Sequence, residues 1–156
     1  MQHGSRAGKA FLTLVTAAVL AAPAAQLSAR PSGTQVVIEV TNLRSADGVV
    51  RACMTRDSAR FPRCQDAAQG YRTVVAAGHA TTLRFNNVQP GTYAIALLHD
   101  ENDNGKADRV LGMMPREGFG FSNDAPVNMG PPSFGDAAVR VGSGAMHQTI
   151  RMRYML

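Results

Sequence analysis

The stretch TYAIALLHDENDNGKAD, residues 92–108, joins an apolar run to an acidic loop, and its reading decides the fold. Thr92 to His99 is apolar almost throughout, follows the turn cluster Asn86 to Gly91, and is too short for an independent helix, so it reads as a buried strand. The strand runs straight into Asp100, where the composition changes to Asp, Asn and Gly. Oxygen-bearing side chains then recur at Asp100, Asn102, Asn104 and Asp108, with Gly105 at the sixth position and the Lys106 carbonyl at the seventh. A hard divalent cation takes six to eight oxygens, and a glycine turn lets alternate side chains and one carbonyl converge on it, so this spacing points to calcium. An EF-hand is excluded. The twelfth position holds Leu111 in place of a bidentate glutamate, and the element before the loop is a strand. The missing acid has to come from elsewhere. Glu117 is the first choice because it follows soon after the loop, with Glu101, Asp103, Asp124 and Asp136 as the other acids available. Two carboxylates and two amides give the loop alone an expected affinity of roughly 10⁻⁴–10⁻³ M. The competing explanation is plain turn chemistry, since Asp, Asn and Gly are also what turns are made of.

Outward from residues 92–108 the chain keeps a strand pattern. Thr34 to Leu43, Val49 to Met54, Tyr71 to Val75 and Ala80 to Phe85 are rich in β-branched residues and partly alternate. Asp47-Gly48 reads as a hairpin turn between the first two. Thr55 to Gly70 loses the period, with a short helix expected at Gln65 to Gln69. Gln148 to Tyr154 alternates Ile150, Met152 and Tyr154 with Arg151 and Arg153, the cleanest period of two in the chain, and is expected to close the sheet. Between Arg109 and Val141, Gly, Pro and Asn recur every few residues, yet Phe119, Phe121 and Phe134 are retained. Disordered linkers are poor in aromatics, so this segment is expected to be ordered loop packed against a sheet. The fold class that follows is all-β, an antiparallel β-sandwich of immunoglobulin-like or transthyretin-like type with a long ordered Gly/Pro-rich segment.

The N-terminus has a different character. Arg6 and Lys9 precede an apolar run from Ala10 to Ala22 that breaks at Pro23, the layout of a signal peptide over residues 1–24. Cleavage is expected near 24–29, at Ala22-Pro23-Ala24 or at Leu27-Ser28-Ala29. The apolar run is shorter than the roughly 20 residues of a spanning helix. Residues 25–156 then form a single β-sandwich domain, exported to the periplasm or secreted, with no transmembrane segment after cleavage. No lipobox cysteine follows the leader, so no lipid anchor is expected. An oxidising compartment favours pairing of Cys53 with Cys64, worth about 2–3 kcal/mol for so short a loop. Losing Arg6 and Lys9 from a formal net charge of +5 leaves a mildly basic remainder with scattered arginines. With no basic block and no interleaved aromatics, nucleic acid is excluded as a partner. An envelope protein or a small ligand is left.

Three separate signatures carry a resemblance. They are Gly91 through Asp108, Leu111-Gly112 with Pro115 to Asn123, and Gly130-Pro-Pro-Ser-Phe134. In these the chain resembles the bacterial domain-of-unknown-function 2141 family. The resemblance implies an exported, uncharacterised envelope protein, and it groups the acidic loop, the Glu117 to Asn123 turn and the Pro-Pro-Ser-Phe turn on one surface. Met113-Met114 before Pro115 is bulkier than the family pattern. The acidic loop is also similar to calcium loops of sandwich repeats in bacterial surface proteins, where the ion is structural.

The leading reading is therefore a non-enzymatic envelope protein, binding or structural, in which calcium at Asp100, Asn102, Asn104, Lys106 and Asp108, completed by Glu117, orders the Gly/Pro-rich face. A rival reading is an envelope enzyme using His99, Asp100 and Glu117. A third is a carrier of a small apolar ligand lined by Phe119, Phe121 and Phe134. No His-Glu zinc pattern links His99, His79 or His147, and Ser122, Ser133 and Ser143 lack a Gly-x-Ser-x-Gly setting, so catalysis has no local motif.

Overall fold

The structure, a computed structural model, describes residues 33–64, 70–110 and 114–156 together with Met1 and Gly4. The signal-peptide segment 1–24, the cleavage region 24–29 and the helix expected at 65–69 lie outside the described residues. The strands are β1 (Thr34–Thr41), β2 (Val49–Thr55), β3 (Tyr71–Ala76), β4 (Thr82–Val88), β5 (Gly91–Asp100), β6 (Arg109–Val110), β7 (Met114–Pro115), β8 (Gly118–Phe121), β9 (Ala138–Val141) and β10 (Met146–Arg151). A four-residue helix, α1 (Phe134–Ala137), follows a 3-10 turn at Ser122–Asp124. Among the described residues no helix is long and apolar enough to cross a membrane.

Two sheets pack face to face. One has the order β10-β1-β4. The other has the order β3-β2-β5-β8, with β9 paired to the first half of β5 and β8 to its second half. Alternation explains the packing. Val36, Ile38 and Val40 on β1, Val50, Ala52 and Met54 on β2, and Tyr93, Ile95 and Leu97 on β5 all point between the sheets and join Leu83, Phe85, Ile150 and Met152 in one core. Each Val, Leu, Ile, Phe or Met among these stabilises the fold by roughly 1.5–3 kcal/mol through burial. The chain is thus all-β and sandwich-like, as the periodicity implies.

Three details differ from the sequence reading. Asp47-Gly48 does not close a hairpin. β1 pairs with β4 and β10 while β2 pairs with β3 and β5, so this turn carries the chain from one sheet to the other. Gly48 is required there on two counts: its φ is +63°, and a Cβ would lie 2.1 Å from the Asp100 carbonyl oxygen. β10 runs parallel to β1 rather than antiparallel, with Val36 opposite Met146 and Val40 opposite Ile150. The described residues of the Gly/Pro-rich segment are not all loop, since they include β6, β7, β8, α1 and β9.

A second, smaller core lies on the outer face of the β5 sheet. Phe121 and Ala94 are covered there by Ala125, Ala137, Phe61 and Phe134, with Phe61 edge-on to both Phe121 and Phe134. The Cys53–Cys64 disulfide ties the segment carrying Phe61 to β2. Ser122 is buried and donates to the Ala137 carbonyl while accepting from the Ile95 N–H at 2.9 Å. Ser133 caps α1 in a reciprocal box with Asp136. Ser122 therefore ties the Gly/Pro-rich segment to β5, and Ser133 stabilises the start of α1.

Candidate metal centre

Strand register brings two acids together. β5 and β8 are antiparallel with Leu98 opposite Phe119 and His99 opposite Gly118. One residue further, the same register sets Asp100 opposite Glu117, with both side chains on the outer face. Like charges directly opposite on one face repel. Both residues are buried, Asp100 at 0% exposure and Glu117 at 3%.

Their surroundings differ sharply. The Asp100 carboxylate accepts from the Asn104 N–H at 3.0 Å, the Gly105 N–H at 2.8 Å and Arg51 Nε at 2.6 Å. Burial pushes its pKa up, but Arg51 and the two peptide N–H groups outweigh that and hold it below the ordinary value. Glu117 has one partner. Its Oε2 accepts from the Asp108 N–H at 3.1 Å, while Oε1 is buried with no hydrogen bond. Burial, assisted by the charges of Asp100, Asp108 and Glu101, raises its pKa against the pull of that single N–H. An orphaned carboxylate oxygen is the costliest kind of buried acceptor, and it faces further negative charge.

The loop arranges the remaining oxygens around this point. Asn102 Nδ2 and Asn104 Nδ2 donate to Asp108 Oδ2 at 2.9 and 2.8 Å. The two amide oxygens accept from backbone, Asn102 Oδ1 from the Asn104 N–H and Asn104 Oδ1 from the Lys106 N–H. Among the described residues no three carboxylate, imidazole or thiolate side chains form a ready-made cage for an ion. The set is mixed, with amide hydrogens between the carboxylates. Rotation of an Asn amide exchanges its NH₂ for its oxygen, and that exchange is what a cation beside Asp108 requires. Hard oxygen donors of this kind suit calcium or magnesium rather than zinc.

The other acids are already committed. Glu101 is held by Arg44, whose Nε lies 3.0 Å from Oε1, and by Ser45 Oγ at 2.8 Å; Arg44 brings its pKa down to about 2. Asp103 pairs with Arg51, Asp124 with Arg153, and Asp136 is consumed in the α1 cap. Among the described residues no ion pair reaches Asp108 or Glu117. Arg51 was missed as a site residue. Its signal was visible, since an arginine between Val50 and Ala52 on an alternating strand must face outward, but which acid it meets depends on the β2–β5 pairing. Lys106 is exposed, with its N–H turned to Asn104.

His99 does not join this cluster. It is fully buried on the opposite face of β5, with Nδ1 2.7 Å from the Tyr154 hydroxyl and Nε2 3.0 Å from the Asp47 carbonyl. A carbonyl only accepts, so Nε2 donates to Asp47, and Nδ1 is engaged by the Tyr154 hydroxyl. Both ring nitrogens are spent on linking the sheets, so a base at this position has no free nitrogen to offer an outer-face substrate.

Asp108, Glu117 and Phe119 also border a cavity of about 760 Å³ on the outer face of the β5 sheet, with the β6–β7 hairpin on one side and residues 127–131 on another. A family model described as an uncharacterised protein conserved in bacteria, DUF2141, matches residues 38–149. No curated protein and no solved structure shows a significant match.

Proposed function

We propose a function from one premise: the chain belongs to DUF2141, the uncharacterised bacterial family whose model spans residues 38–149. It acts as a non-enzymatic, single-domain β-sandwich of the bacterial envelope, periplasmic or secreted, in which a calcium ion pins the acidic loop to the outer face of the sheet. The ion is held by Asp100, Asn102, Asn104, the Lys106 carbonyl and Asp108, with Glu117 in place of the missing twelfth ligand. The observation that carries this reading is the buried, unpartnered Oε1 of Glu117 beside Asp108. A divalent cation there neutralises Asp108 and Glu117, the two carboxylates of the site that no cation pairs among the described residues, and it supplies the partner that Oε1 lacks. The ion's role is structural. It joins the loop after β5 to the start of β8 and so fixes the β6–β7 hairpin, which forms one wall of the outer-face cavity.

Export is part of the same reading. Arg6, Lys9 and the apolar run ending at Pro23 support a cleaved leader, and the Cys53–Cys64 disulfide suits an oxidising compartment. Thermal melting in calcium and in chelator tests the metal claim. At about 10 mM calcium and the expected affinity, binding stabilises the fold by roughly 1.4–2.7 kcal/mol. Asp108→Asn should remove that gain, and equal melting temperatures in both buffers overturn the claim. The mass of the protein recovered from a bacterial periplasm tests export, which predicts an N-terminus near residues 24–29.

A further inference from the structure

The outer-face cavity is polarised, with arginines at one end and the carboxylates of Asp108 and Glu117 at the other. Three cross-strand rows form the floor. At one end Arg72, Cys53 and Ala96 lie side by side, in the middle Val74, Arg51, Leu98 and Phe119, and at the far end Glu117 beside Asp108. The middle row is mostly apolar and open, with Val74 half exposed. Met114, Met129 and Met155 stand exposed at its rim, and Met129 packs against nothing on its outer side. Methionines in that setting give an adaptable apolar surface.

Among the described residues, the arginine end is where charge is left over. Arg51 is spent on Asp100 and Asp103. Arg72 donates to the Cys64 carbonyl, a neutral partner, and Arg63 is exposed beside it on the disulfide loop. Among the described residues no carboxylate pairs with Arg63 or Arg72. A cavity of about 760 Å³ falls in the range that encloses small ligands. From Arg72 to the edge of β8 is three strand spacings, about 14 Å.

We propose that this groove binds a single-chain anionic amphiphile, a medium-chain fatty carboxylate, with its head at Arg63 and Arg72 and its tail over Ala96, Leu98 and Phe119. A guanidinium pair recognises a carboxylate by charge-assisted hydrogen bonds, and the apolar row takes an alkyl chain without needing hydrogen bonds from it. The acids at the far end disfavour the reverse orientation. This site does not require the ion, so the test is run in calcium-free buffer, where failure of the metal reading leaves it intact.

The test is calorimetric titration of the protein with sodium dodecanoate below its micelle concentration, beside dodecyltrimethylammonium and butanoate. Saturable one-to-one binding of dodecanoate is expected, with the cationic surfactant weaker by about tenfold, the equivalent of about 1.4 kcal/mol, and no detectable binding of butanoate. Arg63→Glu, at an exposed position, should weaken dodecanoate by a similar factor, and Leu98→Glu should abolish binding while far-UV circular dichroism stays unchanged. Equal affinity for the two surfactants overturns the proposal, as does indifference to both substitutions. Binding to phosphatidylglycerol vesicles without binding to free dodecanoate also overturns it, since the source is then a membrane surface.

Discussion

Replacing Glu117 by Gln should make the calcium-free protein more stable and at the same time remove its response to calcium. Glutamine keeps an oxygen that accepts from the Asp108 N–H and removes the buried charge, which has no partner at Oε1 and faces Asp100, Asp108 and Glu101. The cost of a buried, unsatisfied acceptor is about 1–3 kcal/mol and more for a charged one. Relief of that cost in a chain of this size raises Tm by about 3–6 °C per kcal/mol, so a rise of between about 3 and about 18 °C in chelator is expected. The same change removes a charged ligand, and the calcium-induced gain of the parent protein disappears. The order of stability therefore reverses between buffers if the ion contributes more than the orphaned oxygen costs. Differential scanning calorimetry of both proteins in chelator and in calcium measures all four quantities. A substitution that lowers Tm in chelator and leaves the calcium response intact refutes the reasoning, because Glu117 then is neither strained nor a ligand.

Other expectations come from the same contacts. Glu101, held down to about 2 by Arg44, binds protons less readily folded than unfolded, so its contribution is complete above about pH 4.5 and is lost as pH falls through about 2. Glu101→Gln should flatten that part of an acid unfolding curve followed by circular dichroism; the side chain is 22% exposed, so screening reduces the effect. Glu117 has the opposite sign. Its raised pKa means that stability in chelator falls as pH rises from about 4.5 through the raised value, and calcium should remove that dependence. Replacing Cys53 and Cys64 by serine should cost about 2–3 kcal/mol in urea unfolding and should loosen the segment carrying Phe61. Ser122→Ala leaves the Ile95 N–H without its side-chain partner and should cost about 1–3 kcal/mol, with no change in calcium affinity.

The strands that build the core were legible because one face of each is buried and the other is not. Gln35, Glu39, Arg51 and Arg84 interrupt the apolar pattern at the period of a sheet, and the described strands begin and end within a few residues of that pattern. Pairing was less legible. Asp47-Gly48 signals a backbone with positive φ, and that part is borne out at Gly48, but a turn signal does not say which strand lies alongside. β8 was hidden for a different reason. Its sequence, Gly118 to Phe121, alternates glycine with phenylalanine, and the glycines are there because Tyr154, Ile150 and Met152 occupy the space where a Cβ would sit. That requirement comes from the C-terminal segment and has no local trace. At the candidate site the loop spacing was legible, and proximity alone suggested Glu117. The reason for Glu117 over the four other acids, namely that each of those already has a partner, became visible only in three dimensions.

The central claim is that the loop and Glu117 together hold a calcium ion. Isothermal titration of the leader-free protein with calcium chloride, beside the Glu117→Gln protein, tests it most directly. The account predicts a single saturable site in the parent, with a dissociation constant no weaker than about 10⁻³ M, and at least a tenfold loss in the variant. No saturable heat in the parent, or the same isotherm in both proteins, contradicts it.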